Sequence, residues 1–223
     1  MYVLYGGPFT RGLLVEMVLA EGDIAYERRT VDTLKGEHRS PAYLAVNPAG
    51  WVPALITPEG ETLVEAPAIN LYLAERHGLA QLAPPAEDPQ RGQFLSGLFY
   101  LSDELEPWIK RYFYPHRFAL RAEDAPATQE HALEGILDRL TVIERHLRDR
   151  GPYHLGERFS LVDLTLAFWT VLLDREDRLA PYAAIRRCMT LVTDRPRLRG
   201  RFDELAAMRE EYARLQGHGA GVP

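Results

Sequence analysis

Val52-Pro53 and Glu65-Ala66 are the residue pairs in this chain whose types and spacing are best suited to hold a ligand. Proline has no N–H to give a sheet ladder. Pro53, directly before the apolar run Ala54 to Thr57, therefore belongs at a strand edge or in a turn. X-Pro is also the common route to a cis peptide in a tight turn. A cis bond at Pro53 would turn the N–H and C=O of Val52 outward and offer two hydrogen bonds to an extended, peptide-like ligand. Glu65-Ala66 opens the next helical pattern, in which Ile69, Leu71, Tyr72 and Leu73 recur at helical spacing. Unpaired N–H groups and the positive end of the dipole make such a start attractive to a carboxylate. A backbone-pairing edge followed by an anion-holding helix end describes a site for a small acidic peptide.

The elements that must position these residues follow in order. Tyr2 to Tyr5 is a short β-rich run ended by Gly6-Gly7-Pro8. Helical spacing begins near Thr10, with Leu13, Leu14, Met17, Val18 and Ala20 on one face, and stops at Gly22. Ala25 to Val31 reads as a second strand, and Lys35 to Arg39 as a charged loop. Ser40-Pro41 is a favourable cap and first-turn pair for a short helix. Two further strands, Ala54 to Thr57 and Thr62 to Val64, precede the helix after Glu65. The order β-α-β-α-β-β-α predicts an α/β sandwich over residues 1–78.

Residues 79–89, LAQLAPPAEDP, form a proline-rich connector, and from 90 to 223 the reading is all-helical. A long helix runs from Gln90 to Trp108, continuing past Pro107 with a kink. Others are expected over Thr128 to Arg150, Ser160 to Leu173, Pro181 to Thr193 and Pro196 to Glu210, before a polar, glycine-rich tail expected to be mobile. The Ser160 segment is apolar nearly all round and should be the buried central helix. Ser160 and Asp163 have the spacing of a capping box, worth ~0.5–2 kcal/mol.

The chain of 223 residues, 46% hydrophobic and 26% charged, has an ordinary globular composition. A net charge of −6 argues against nonspecific nucleic-acid binding. One cysteine, Cys188, excludes an internal disulfide or CxxC pair, suits a reducing, cytoplasmic setting and is expected to be buried. No leader pattern or membrane-length apolar run is visible, so no membrane association is expected. The seven histidines never fall at metal-ligand spacing, so no metal is expected. The arginines at 186, 187 and 195 to 201 are read as a solvated face.

Across nearly its whole length the sequence resembles the cytosolic glutathione S-transferases. The resemblance is carried by Asn47-Pro48-Ala49-Gly50-Trp51-Val52-Pro53-Ala54-Leu55, by Glu65-Ala66-Pro67-Ala68-Ile69 with Tyr72-Leu73, and by Gly156 with the Ser160-to-Asp163 cap. It implies a thioredoxin-like N-terminal domain, an all-α C-terminal domain, a homodimer and glutathione as co-substrate. Val52 would bind the cysteinyl backbone and Pro53 would hold the loop. Glu65 would take the γ-glutamyl amino group, and position 66 its carboxylate. Here the family's usual serine is Ala66, so one hydrogen bond to a charged group is lost, worth ~1.5–3 kcal/mol. Arg11 or a partner protomer's Asp103 would compensate, although Asp103 also reads as a solvated helix charge.

The implied chemistry needs a thiolate near neutral pH. Lowering a thiol pKa of ~8.5 by two units takes ~2.7 kcal/mol. A helix N-terminus supplies ~0.3–1 kcal/mol, and a hydroxyl donor a further ~1.5–3 kcal/mol. The chain offers Tyr5 at the end of the first strand and Thr10 at the start of the first helix. The family uses both positions in different classes, and the alternative readings are a core ring for Tyr5 and a helix cap for Thr10. Arg11 would add cationic stabilisation or be a surface charge. Phe9, Trp108 and Tyr112, with Phe113 and Tyr114, would line an electrophile pocket or else be core. The activity implied is conjugation of the glutathione thiolate to apolar electrophiles, in detoxification. A glutathione peroxidase, isomerase or dehalogenase, or a non-catalytic binding protein on the same fold, stands as the alternative.

Overall fold

The computed structural model describes residues 1–175 and 177–217. The elements are β1 (Tyr2–Gly6), α1 (Gly12–Glu21), β2 (Tyr26–Thr30), α2 (Pro41–Leu44), β3 (Ala54–Ile56), β4 (Thr62–Val64), α3 (Ala66–Arg76), α4 (Arg91–Phe99), α5 (Glu106–Phe113), α6 (Ala125–Arg150), α7 (Leu161–Leu173), α8 (Ala183–Thr193) and α9 (Arg199–Gly217). The chain divides into two compact units, one of Met1–Ala83 with the segment from Thr193 onward, the other of Pro84–Val192.

The first unit is a thioredoxin-like mixed sheet in the order β2-β1-β3-β4. β1 runs parallel to β2 and antiparallel to β3, and β3 pairs antiparallel with β4. A parallel neighbour requires a crossover, which α1 supplies. Tyr2 and Leu4 point into the core, while Val3 and Tyr5 on the opposite face are only partly covered. Ser40 caps α2 by accepting the Tyr43 N–H at 3.3 Å, as the Ser-Pro pair predicts.

α1 is buried nearly all round, which its sequence does not announce, because Glu16 and Glu21 sit on the covered side. Part of that cover comes from the C-terminal segment. Glu21 takes both Arg195 Nε at 3.0 Å and Arg195 Nη2 at 2.8 Å. Glu16 lies between Arg28 at 3.2 Å and Arg201 at 3.0 Å. Arg195 and Arg201, expected on a solvated face, thus neutralise two buried carboxylates. The sequence reading ran the helical domain from 90 to 223; the structure groups the described residues from Thr193 with residues 1–83.

The second unit is helical. Between α4 and α5 the backbone passes through a π-helical turn, Tyr100–Leu105, where the sequence predicts one helix kinked at Pro107. Pro107 follows directly, in the first turn of α5, and its missing N–H and its ring fall on the turn where the ladder departs from α-helical spacing. α7 is the buried helix expected, and it opens on a complete capping box. Asp163 accepts the Ser160 N–H at 2.8 Å, the Ser160 hydroxyl at 2.9 Å and the His154 N–H at 2.6 Å. Burial nonetheless pushes its carboxyl up to about 6. Cys188 is buried beside it, its Sγ 3.7 Å from Asp163 Oδ1. The glycine-rich tail from residue 218 lies outside the described residues. No described helix is long and apolar enough to cross a membrane.

Candidate active site

The loop from α2 to β3 turns at Asn47-Pro48-Ala49-Gly50 and delivers Trp51, Val52 and Pro53 to the head of β3. The Val52-Pro53 bond is cis. Val52 packs with Val31 and Tyr43, and the Tyr5 ring lies against this cluster. Among the described residues neither the N–H nor the C=O of Val52 has a hydrogen-bond partner. The preceding carbonyl, of Trp51, is held twice, by the Tyr43 hydroxyl at 2.6 Å and by Asn47 Nδ2 at 2.7 Å. Burial pushes the Tyr43 hydroxyl up to about 12, so it stays a donor.

At the start of α3, Glu65 has φ 67° and ψ 115°, a conformation L side chains rarely adopt. Its carboxylate meets Arg11 Nη2 at 3.0 Å. α3 has no side-chain cap. Ile69 is the first residue whose N–H closes a turn, to the Glu65 carbonyl at 2.9 Å. Pro67 has no N–H, and those of Ala66 and Ala68 lack partners among the described residues. Ala66 itself is fully buried.

The two candidate hydroxyls sit differently. Thr10 Oγ1 accepts the N–H groups of Gly7 and Gly12, each at 3.2 Å, and donates to the Gly7 carbonyl at 2.7 Å. It stands beside Arg11 at the mouth of α1. Gly12 is needed there, because a Cβ on it would lie 2.8 Å from Gly6 Cα. Tyr5 stands on the sheet face covered by α2, its ring 5.9 Å from that of Tyr43. Its hydroxyl accepts Arg29 Nη1 at 2.9 Å across the parallel β1–β2 pair. Phe9, at φ 58°, turns its ring to Tyr212 at 6.0 Å and its N–H to Met208 Sδ at 3.4 Å.

Tyr5, Phe9, Thr10, Arg11, Val52, Pro53, Glu65 and Ala66 thus belong to one compact unit, while Asp103, Trp108 and Tyr112 belong to the other. Asp103 is exposed on the π-helical turn and accepts the Ser102 hydroxyl at 2.9 Å. Trp108 lies flat on α6, where a Cβ on Gly135 would come within 2.2 Å of its ring, and the Arg139 guanidinium stands 4.7 Å from its centroid. The Tyr112 ring faces Arg178 at 5.2 Å.

Sequence reasoning missed Arg39, Tyr43 and Asn47. Arg39 donates to the Ala49 carbonyl at 3.2 Å and lies 5.3 Å from the centroid of Trp51, which puts a cation beside the Val52 loop. The available signal was the Asn-Pro turn itself, whose amide must bond something nearby.

Sheet order, crossover helix, proline loop and uncapped third helix define a thioredoxin-like domain joined to a helical unit. Residues 2–75 match the family model described as the glutathione S-transferase N-terminal domain. Glutathione S-transferase 3 of Zea mays is 31% identical over 184 residues, covering 76% of this chain and 77% of its own. The maleylacetoacetate isomerase of Pseudomonas aeruginosa is 45% identical over a shorter 84 residues, 37% of this chain and 39% of its own. Among solved structures, a glutathione transferase homologue from Sulfitobacter with bound glutathione superposes with TM-score 0.81 at 30% identity, covering 92% of this chain and 98% of that one. The chain belongs to the glutathione S-transferase family.

Proposed function

We propose that the protein binds glutathione and adds its thiolate to apolar electrophilic small molecules. The observation that carries this reading is the pairing of an unpartnered Val52 backbone with an uncapped start of α3 in the same unit. An extended tripeptide with an acid at each end suits that pairing. Val52 takes the cysteinyl backbone, Glu65 the γ-glutamyl amino group, and the free N–H groups at Ala66 and Ala68 its carboxylate. Arg39, beside the Trp51 ring and so next to the Val52 loop, suits the second carboxylate. The Sulfitobacter homologue, solved with glutathione, supports the ligand.

For the thiolate donor we favour Thr10. Two N–H groups already polarise its hydroxyl, which needs only to leave the Gly7 carbonyl to face a sulfur at the mouth of α1. Tyr5 has its hydroxyl on Arg29 and its ring packed against Tyr43, which makes it a supporting residue of the sheet. The chemistry needs no metal. Phe9, Trp108 and Tyr112 remain our candidates for contact with the electrophile. A homodimer, in which the exposed Asp103 of one protomer approaches glutathione on its partner, completes the proposal.

Retention on immobilised glutathione, with elution by the free tripeptide, tests binding, and turnover of a model aryl halide tests transfer. Retention without turnover of any electrophile would leave a binding protein, a reading that Ala66 in place of a hydroxyl donor favours. Passage straight through the column would sink both.

A further inference from the structure

The Trp51–Val52 peptide is held in an unusual way. Its carbonyl oxygen accepts two short hydrogen bonds, 2.6 Å from the Tyr43 hydroxyl and 2.7 Å from Asn47 Nδ2, and both donors are buried. Asn47 has no freedom to turn over, because its Oδ1 accepts the Ala49 N–H at 3.1 Å. Tyr43 is fixed as firmly, by the Ser40-capped helix at its backbone and by Tyr5, Val31 and Val52 around its ring. Both lone pairs of one carbonyl are therefore drawn inward by rigid donors.

A trans peptide is planar, and its C=O and N–H point in opposite directions. Trp51–Val52 is trans. Fixing the Trp51 oxygen inward fixes the Val52 N–H outward, where no described residue meets it. Two donors on the oxygen also draw electron density through the amide and make its N–H a better donor, the cooperative strengthening expected of linked hydrogen bonds. Satisfying the carbonyl alone would take one donor. The second adds angular restraint.

We propose that Tyr43 and Asn47 form a clamp that aims and strengthens the Val52 N–H as the hydrogen-bond donor to the glutathione backbone. They are positioning residues, not groups that touch the ligand. The inference rests on the reading of Val52 given above, and deepens it by naming what sets the affinity of that contact.

The test uses the full chain with Tyr43→Phe, which removes one donor and keeps the ring, and Asn47→Ala, checked by thermal melting. Calorimetric glutathione affinity, the separate KM values for glutathione and a model electrophile, and 15N relaxation of the Val52 amide are read on each folded variant. Tyr43→Phe is expected to weaken glutathione about three- to tenfold, the usual worth of one hydrogen bond, with kcat and the electrophile KM little changed. The Val52 amide should become more mobile in the free protein. The double variant should lose more than the product of the single losses, since either donor alone still aims the oxygen. Unchanged glutathione affinity in both variants, with unchanged Val52 relaxation, overturns the clamp while wild-type binding stands. Failure of the wild type to bind glutathione overturns the reading of the site, and the clamp's ligand with it.

Discussion

Arg11 and Glu65 stand 3.0 Å apart, the arginine side chain only 14% exposed and the glutamate 55% exposed. With the glutamate more than half exposed, the pair contributes little to folding, within ~0–1 kcal/mol. Glu65 also occupies a left-handed conformation that disfavours any side chain. Its presence there is explained by a ligand better than by stability. Glu65→Ala should change the unfolding free energy by less than ~1 kcal/mol yet weaken glutathione by about tenfold or more. Glu65→Gly should be the more stable of the two by up to ~1 kcal/mol, because glycine accepts positive φ. Chemical denaturation and calorimetry on the same preparations check both; a large stability loss without an affinity loss would make the pair structural.

The donor is decided by the pH dependence of rate. Thr10→Ala should lower turnover of a model electrophile about ten- to a hundredfold near neutral pH, from the loss of one hydrogen bond to a charged sulfur. The rate should recover at high pH, where the thiol ionises unaided. Tyr5→Phe should leave that profile in place, since it keeps the ring against Tyr43. The reverse pattern would move the role to Tyr5.

Ala66→Ser adds a hydroxyl at the first turn of α3, beside N–H groups that lack partners. With a carboxylate held there, the variant should bind glutathione up to about tenfold more tightly. Tighter binding of glutathione but not of an analogue lacking the γ-glutamyl carboxylate is the expected result. No gain would place the carboxylate elsewhere.

Acid stability turns on two groups in the helical unit, half-buried His154 and buried Asp163. Burial, and then the stacked His146 ring, hold His154 down at about 4. An unfolded histidine titrates near ~6.5, so the unfolded chain binds the extra proton and His154 costs stability as pH falls from there towards 4. Asp163, raised to about 6, does the opposite. The folded chain holds its proton in that range, so its favourable contribution belongs to low pH and disappears as pH rises through about 6. The two slopes oppose each other. Replacing His154 with glutamine removes one of them, so the variant should gain relative to wild type as pH falls from 6.5 to 4.5, in urea titrations at each pH. A difference that stays constant with pH would mean His154 does not titrate in this window.

Much of this was legible in the sequence because it is local. Period-two and helical spacing fixed the element order, Ser-Pro announced α2, and Ser160 with Asp163 announced a cap that the structure closes. What stayed hidden depends on residues far apart in the chain. Glu16 and Glu21 look like the wet side of an amphipathic helix until Arg201 and Arg195 arrive from the far end. Pro107 announces that the helix is disturbed, but not that the disturbance takes the form of the π-helical turn at Tyr100–Leu105. Nothing local says that Gly135 leaves a bare patch of α6 against the Trp108 ring. Tyr43 and Asn47 each have an ordinary reason to be present, and only the fold brings both to one oxygen.

The grip of α9 and Arg195 on α1 bears on how the molecule is made. The ribosome releases the first strand and helix early, with Arg28 soon after to meet Glu16, but Arg201 and Glu21's partner Arg195 only after the whole helical unit has emerged. Until then Glu21 lacks the arginine that neutralises it, and enclosing a carboxylate unpaired is strongly unfavourable. A nascent chain cut short before Thr193 would retain every residue assigned here to glutathione and still lack the means to close around α1.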